Sequence, residues 1–92
     1  MVAFAVTWQV VPGELERLLA QAPQLLRSLQ QQHGFLSLSV YVNREEDTLL
    51  TISHWASRED LEADKPHHAQ SVKALASVAT VRESKTYELV NL

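Results

Sequence analysis

Hydrophobic and polar residues alternate along the first ten positions. Phe4, Val6, Trp8 and Val10 are large and apolar on one side, while Ala3, Ala5, Thr7 and Gln9 are small or polar on the other. A period of two predicts a strand over Val2 to Val11 that ends at Pro12-Gly13. The period then changes. Leu15, Leu18, Leu19, Ala22, Leu25, Leu26 and Leu29 form one helical stripe, and the spacing predicts a helix over Glu14 to Gln32. Pro23 falls inside the stripe without shifting its register, which predicts a kink, and His33-Gly34 ends the helix with Gly34 as a left-handed cap.

Alternation resumes over Phe35 to Asn43, with Leu36, Leu38, Val40 and Val42 on one face and Phe35, Ser37, Ser39 and Tyr41 on the other. A charged loop over Asn43 to Asp47 has the length of a hairpin connection. Thr48 to Trp55 is a third strand, with Leu49, Thr51, Ser53 and Trp55 on one face and Leu50, Ile52 and His54 on the other. Ser57-Arg58-Glu59-Asp60 then reads as a helix start. The Ser57 hydroxyl can accept from a free N–H of the first turn, and Glu59 and Asp60 place negative charge at the positive end of the helix dipole. The helix is expected to run to Lys65 and to break at Pro66. A second helical stripe follows at Ala69, Val72, Leu75, Ala76 and Ala79. Thr80 to Val90 closes the chain as a fourth strand, with Val81, Tyr87 and Leu89 on a side that Glu83 and Lys85 interrupt.

The order is strand, helix, hairpin, broken helix, strand. This is the ferredoxin-like βαββαβ arrangement, an α+β class with a four-stranded antiparallel sheet and helices on one face. The other face carries Ala3, Ala5 and neighbouring aliphatic residues, and a second copy packed against it in an isologous homodimer would bury it.

Size and charge narrow the function. With 92 residues there is room for one core, so residues 1–92 form a single domain. A hydrophobic content of 46 % suits a folded protein. A net charge of -3 with scattered Lys and Arg argues against nucleic acid as a partner. The absence of cysteine removes disulfides, thiolate metal sites and thiol nucleophiles, and suits the cytoplasm. No apolar run is long enough to span a membrane, and no signal peptide is visible.

The candidate chemistry is sparse. Trp55 and Trp8 offer indole N–H groups, Tyr41 and Tyr87 phenols, and His67 and His68 proton acceptors near neutral pH. Adjacent histidines on a helix point about 100° apart, so they do not chelate one ion, and no metal site is expected. The expected pocket lies between the helix-facing side of the sheet and the segment from Asp64 to His68, with Lys65-Pro66 as a lid hinge. Each residue also has a plainer role: the tryptophans as core, the histidines as surface, Glu59 and Asp60 as caps.

A strand ending in Trp55, followed by Ser57 and Glu59, a short helix and a His-bearing segment, resembles the antibiotic biosynthesis monooxygenase family of dimeric α+β barrels. Gly34-Phe35-Leu36 at the start of the second strand is similar as well. The resemblance covers nearly the whole chain. It implies a homodimer in which two sheets form one barrel, and a cofactor-independent monooxygenase acting on an aromatic or quinol-like small molecule. Trp55, His67 and His68 are then the catalytic candidates, and Trp8, Thr51, Leu61, Tyr41 and Tyr87 the substrate-binding ones. Thr51 stands where the polyketide oxygenases of the family carry Asn, Leu61 where they carry Tyr, and Asp64 where many relatives carry His. The haem-degrading branch has an Asn on the first strand, a Trp on the second helix and a His ten residues beyond it. Here Val6-Thr7-Trp8 and Asp64 stand instead, and no His lies near Ala74, which argues against that triad. Haem held by His67 or His68 alone is a lesser alternative. The runner-up function is a non-enzymatic small-ligand-binding or stress-response protein of the same superfamily.

Overall fold

The computed structural model describes residues 1–92. Its elements are β1 (Val2–Val10), α1 (Leu15–Leu19), α2 (Ala22–Gln30), β2 (Phe35–Asn43), β3 (Thr48–Trp55), α3 (Arg58–Ala74) and β4 (Ala79–Glu88). The four strands form one antiparallel sheet in the order β2-β3-β1-β4. All helices lie on one face. The core is built on β1, where Val2, Phe4, Val6, Trp8 and Val10 are buried and the intervening residues are half-buried on the open face. No helix is long and apolar enough to cross a membrane.

The first helical region is two helices and not one kinked helix. α1 ends at Ala20, and α2 starts afresh with Pro23 in its first turn. A proline in mid-helix would lack one hydrogen bond and crowd the carbonyl of Leu19, whereas in a first turn its missing N–H has no helical partner to lose. The second region departs in the opposite sense. α3 is continuous from Arg58 to Ala74 with Pro66 inside it, so the expected break is absent and Lys65-Pro66 provides no lid hinge. Leu61 and Asp64 are buried before the proline, and Val72 and Leu75 pack on the core after it, which holds the helix together across one missing bond.

Two irregularities in the sheet also move residues. Between Phe35 and Ser37 the register slips, so Phe35 turns to the helices beside Trp55 and Leu36 is left exposed. A second slip separates Glu83 from Val81 in β4. It turns Val81 to the core, while Tyr87 stays level with Ala3 on the open face. Each bulge inverts the alternation beyond it. Ala79 belongs to β4, where it is buried, and not to the preceding helix.

The turn into α3 is built as expected. The Ser57 hydroxyl accepts from the Asp60 N–H at 3.1 Å and donates to Asp60 Oδ2 at 2.9 Å. His33 Nδ1 lies 2.7 Å from Asp60 Oδ1, which ties the end of the first helical region to the start of α3. Gly34 passes between them with φ +80°, and a Cβ there would overlap the Asp60 carboxylate. Glycine is therefore required on two counts, the left-handed backbone and the close approach.

Candidate active-site cavity

A cavity of about 460 Å³ lies between the helix face of the sheet, α1–α2 and the C-terminal half of α3. Its floor is Phe4, Val6 and Trp8 of β1 with Leu49, Thr51 and Ser53 of β3. These residues alternate along their strands and are paired across the ladder, Phe4 with Ser53, Val6 with Thr51 and Trp8 with Leu49, so the pleat brings all six to one surface. Leucines of α1 and α2 form the opposite wall. Gln21 and Gln24, both exposed, rim the opening.

α3 supplies the only titratable groups in the lining, Asp64, His67 and His68. Its inward stripe runs Leu61, Asp64, His68, Val72 and Leu75, a 3-4-4-3 spacing that puts polar residues at core positions. The carboxylate of Asp64 is only 6 % exposed. Burial raises its pKa, partly offset by the neighbouring His67 imidazole. His67 Nδ1 is 3.3 Å from Asp64 Oδ1, and His67 Nε2 is 2.7 Å from Ser28 Oγ on α2. His68 is held differently. Its ring stands edge-on to Phe4 at 5.1 Å and to Trp8 at 6.1 Å, and burial lowers its pKa, with further contributions from His67 and Lys65. Both effects favour the neutral imidazole of His68.

Four of the candidates come together on the cavity wall: Trp8, Thr51, His67 and His68. Trp8 is fixed there by its indole N–H, which donates to Thr51 Oγ1 at 3.3 Å. Four others do not reach it. Trp55 is fully buried away from the cavity, with its N–H donated to Ser53 Oγ at 2.9 Å and its ring packed edge-on against Phe35. Leu61 is a core residue with 1 % exposure and does not line the cavity. Tyr41 pairs with Leu50 and Tyr87 with Ala3, which puts both on the open face of the sheet, exposed. A phenol on that face cannot touch a ligand under the helices of the same chain.

Ser28 and Asp64 also bring polar side chains to the wall, as do Ser53, Ser71, Gln21 and Gln24. Ser28 sits beside Leu25 and Leu29 on the edge of the apolar stripe of α2, and Asp64 follows Leu61 by three positions on α3. A scan for apolar residues alone passes over both. Tested as an axial haem ligand, His67 does not fit, because its two ring nitrogens already face Asp64 and Ser28. No group of three His, Asp or Glu residues is arranged to hold a metal ion.

A ferredoxin-like α+β domain with a largely apolar cavity roofed by its helices, whose titratable groups all come from α3, is the class this geometry defines. The particular family follows from residues 1–80, which match the family model for antibiotic biosynthesis monooxygenases, and the chain belongs to that family. Solved structures agree in fold. A protein from Deinococcus radiodurans, assigned to the antibiotic biosynthesis monooxygenases, is 18 % identical with a TM-score of 0.81, covering 100 % of this chain and 95 % of its own. SnoaB, a cofactor-independent oxygenase from Streptomyces nogalater, is 20 % identical with a TM-score of 0.75, covering 99 % and 94 %. MupZ from Pseudomonas fluorescens is 10 % identical with a TM-score of 0.80, covering 92 % and 69 %. Among curated proteins, none matches this chain.

Proposed function

We propose that this protein is a cofactor-independent monooxygenase that oxidises a small phenolic or quinol-like aromatic compound in the cavity under α2 and α3. The observation that carries the reading is the cavity itself. Its volume of about 460 Å³ falls in the range of small-molecule sites, and it is lined mostly by apolar residues, with two imidazoles and a carboxylate brought together on the α3 side. An aromatic ring has apolar walls to lie on, and its hydroxyl has a proton acceptor to meet. Kinship with a family that includes the fold of SnoaB, a cofactor-independent oxygenase, supports the same reading.

The chemistry balances without another reductant. Loss of the hydroxyl proton to a histidine leaves an electron-rich anion. The anion passes one electron to dioxygen, and the resulting superoxide and substrate radical combine into a ring hydroperoxide. Cleavage of the O–O bond with loss of the C–H proton leaves a carbonyl, and the second oxygen departs as water. A quinol and dioxygen thus give a hydroxyquinone and water. The protein's part is to exclude bulk water, orient the ring against Phe4 and Trp8, and hold the departing proton.

The functional unit is a homodimer formed through the open sheet face. Ala3, Ala5, Leu50 and Ile52 are half-buried there, and Tyr41 and Tyr87 are 57 % and 52 % exposed. A second copy of the same face would bury this apolar surface. The whole reading is tested by oxygen uptake from chelator-treated protein with a panel of anthrones and hydroquinones, together with isotope incorporation from labelled dioxygen. Incorporation of one labelled oxygen per product supports the oxygenase. Tight binding of these compounds with no uptake would replace it with the non-enzymatic ligand-binding reading.

A further inference from the structure

Two histidines adjoin in sequence at the polar end of the cavity, and their surroundings separate their roles. His68 makes no hydrogen bond and is flanked by the edges of aromatic rings, as a wall residue would be. His67 is bracketed. On one side Asp64, a turn earlier on α3, brings Oδ1 to 3.3 Å from Nδ1. That oxygen is buried and has no hydrogen-bond partner, the His67 contact being an ion-pair distance and not an aligned hydrogen bond, so His67 Nδ1 is the polar group placed to serve it. On the other side Ser28 crosses from α2 and brings Oγ to 2.7 Å from Nε2. A proton on Nδ1 faces the carboxylate, which leaves Nε2 bare to accept from the Ser28 hydroxyl. The serine oxygen, a cavity-lining atom, then has lone pairs free for a ligand.

We propose that Ser28, His67 and Asp64 form a proton relay, and that the ligand's hydroxyl docks on Ser28 Oγ, so that the site takes neutral hydroxyl-bearing aromatic molecules and holds them as anions. The ligand's O–H proton passes to Ser28 as the serine proton passes to Nε2. The imidazolium so formed is offset by the Asp64 carboxylate, and net charge is conserved within the site. Ser28 and His67 carry the proton; Asp64 is a positioning residue that fixes the tautomer. No other titratable group lines the cavity from the sheet, α1 or α2, and on α3 Lys65 holds its Nζ 5.8 Å from the centre of the Phe4 ring. Ser28 is not a nucleophile here. It lies in the last turn of α2, where helical hydrogen bonds occupy the surrounding backbone N–H groups, so none is left to stabilise an oxyanion.

The relay rests on the cavity being the ligand site, but not on oxygen chemistry, and its test avoids oxygen. 4-Nitrophenol reports its own ionisation, because the phenolate absorbs in the violet and the phenol does not. At a pH below the probe's own pKa, excess protein should raise the phenolate fraction about tenfold. Ser28→Ala and Asp64→Asn should each remove most of that rise, and Ser28→Thr should restore it. In parallel, nitrogen NMR of the His67 ring should place its proton on Nδ1 in the wild type and lose that preference in Asp64→Asn. Binding of the probe with no change in its ionisation would overturn the relay, as would an unchanged rise in both variants. Failure of the probe to bind at millimolar concentration would overturn the ligand class. A normal rise with no oxygen uptake on any substrate would keep the relay and remove the oxygenase. Uptake undiminished in both variants would do the reverse.

Discussion

The sheet presents two tryptophans to the same helices, at opposite ends of the same face, and they do different work. Trp55 closes one end. It has no exposed surface, its N–H is bonded to Ser53, and Phe35 and Leu61 belong to the same packed core. Trp8 stands at the other end, where α1–α2 and α3 diverge and leave the cavity. It is 6 % exposed, yet one side of its ring faces empty volume and the edge of His68. An aromatic residue on the inner face of a small sheet is core where the helices meet over it and wall where they do not. Both tryptophans alternate onto the same face of the sheet, so the helices decide.

The contrast can be broken by mutation, and the largest effect belongs to the sealed end. Trp55→Ala should cost about 3–5 kcal/mol in urea unfolding, since it leaves a void in close-packed surroundings. Trp8→Ala should cost less, because part of its surface already lacks packing partners, but it should abolish quenching of tryptophan emission by bound aromatic probes. A loss at Trp8 equal to that at Trp55 would mean that the cavity is closed in solution.

Gly34→Ala should follow. The left-handed backbone costs an alanine about 1–2 kcal/mol, and the displaced Asp60 carboxylate adds to it. Thermal unfolding should show the loss, while probe binding in the distant cavity stays unchanged. The indole partners come next. Ser53→Ala leaves the buried N–H of Trp55 unpaired and should cost about 2 kcal/mol, whereas Thr51→Val, beside a cavity that can admit water to the Trp8 N–H, should cost about 1 kcal/mol or less. Equal losses in denaturant titration would erase the distinction between the two ends.

Asp60 and Asp64 of α3 should give the smallest effects, with opposite signs. Asp60, at the packed end, has its pKa lowered by the His33 and Ser57 hydrogen bonds. Its contribution to stability is present above the ordinary carboxylate value of 3.8 and is lost as pH falls through the lowered folded value. Asp60→Asn should therefore lower Tm at pH 6 and have no effect well below that range. Asp64, at the cavity, has its pKa raised by burial. Folding favours its protonated form, so any stability it gives is present below 3.8 and is lost as pH rises through the raised folded value. Asp64→Asn should raise Tm at neutral pH, and the gain should vanish in acid. A melting series from pH 2 to pH 7 checks both.

The alternation of β1 and β3, the Ser57 cap and the Gly34 turn are local facts, and the sequence alone determined them. Each depends on residues a few positions apart, where steric preference and periodicity act directly. They also determined which face of the sheet would meet the helices, and so that Trp8, Thr51 and Trp55 would share it. What lay beyond local reach was decided by packing. Pro23 separates two helices while Pro66 is carried inside one, because α3 has buried contacts on both sides of its proline. Bulges near Leu36 and Arg82 reversed the faces of the residues beyond them, and ladder register depends on the partner strand. Above all, Ser28 and His67 are 39 residues apart, and only the crossing of α2 over α3 brings them within 2.7 Å. A hydrogen bond between two helices leaves no period in the chain that makes it.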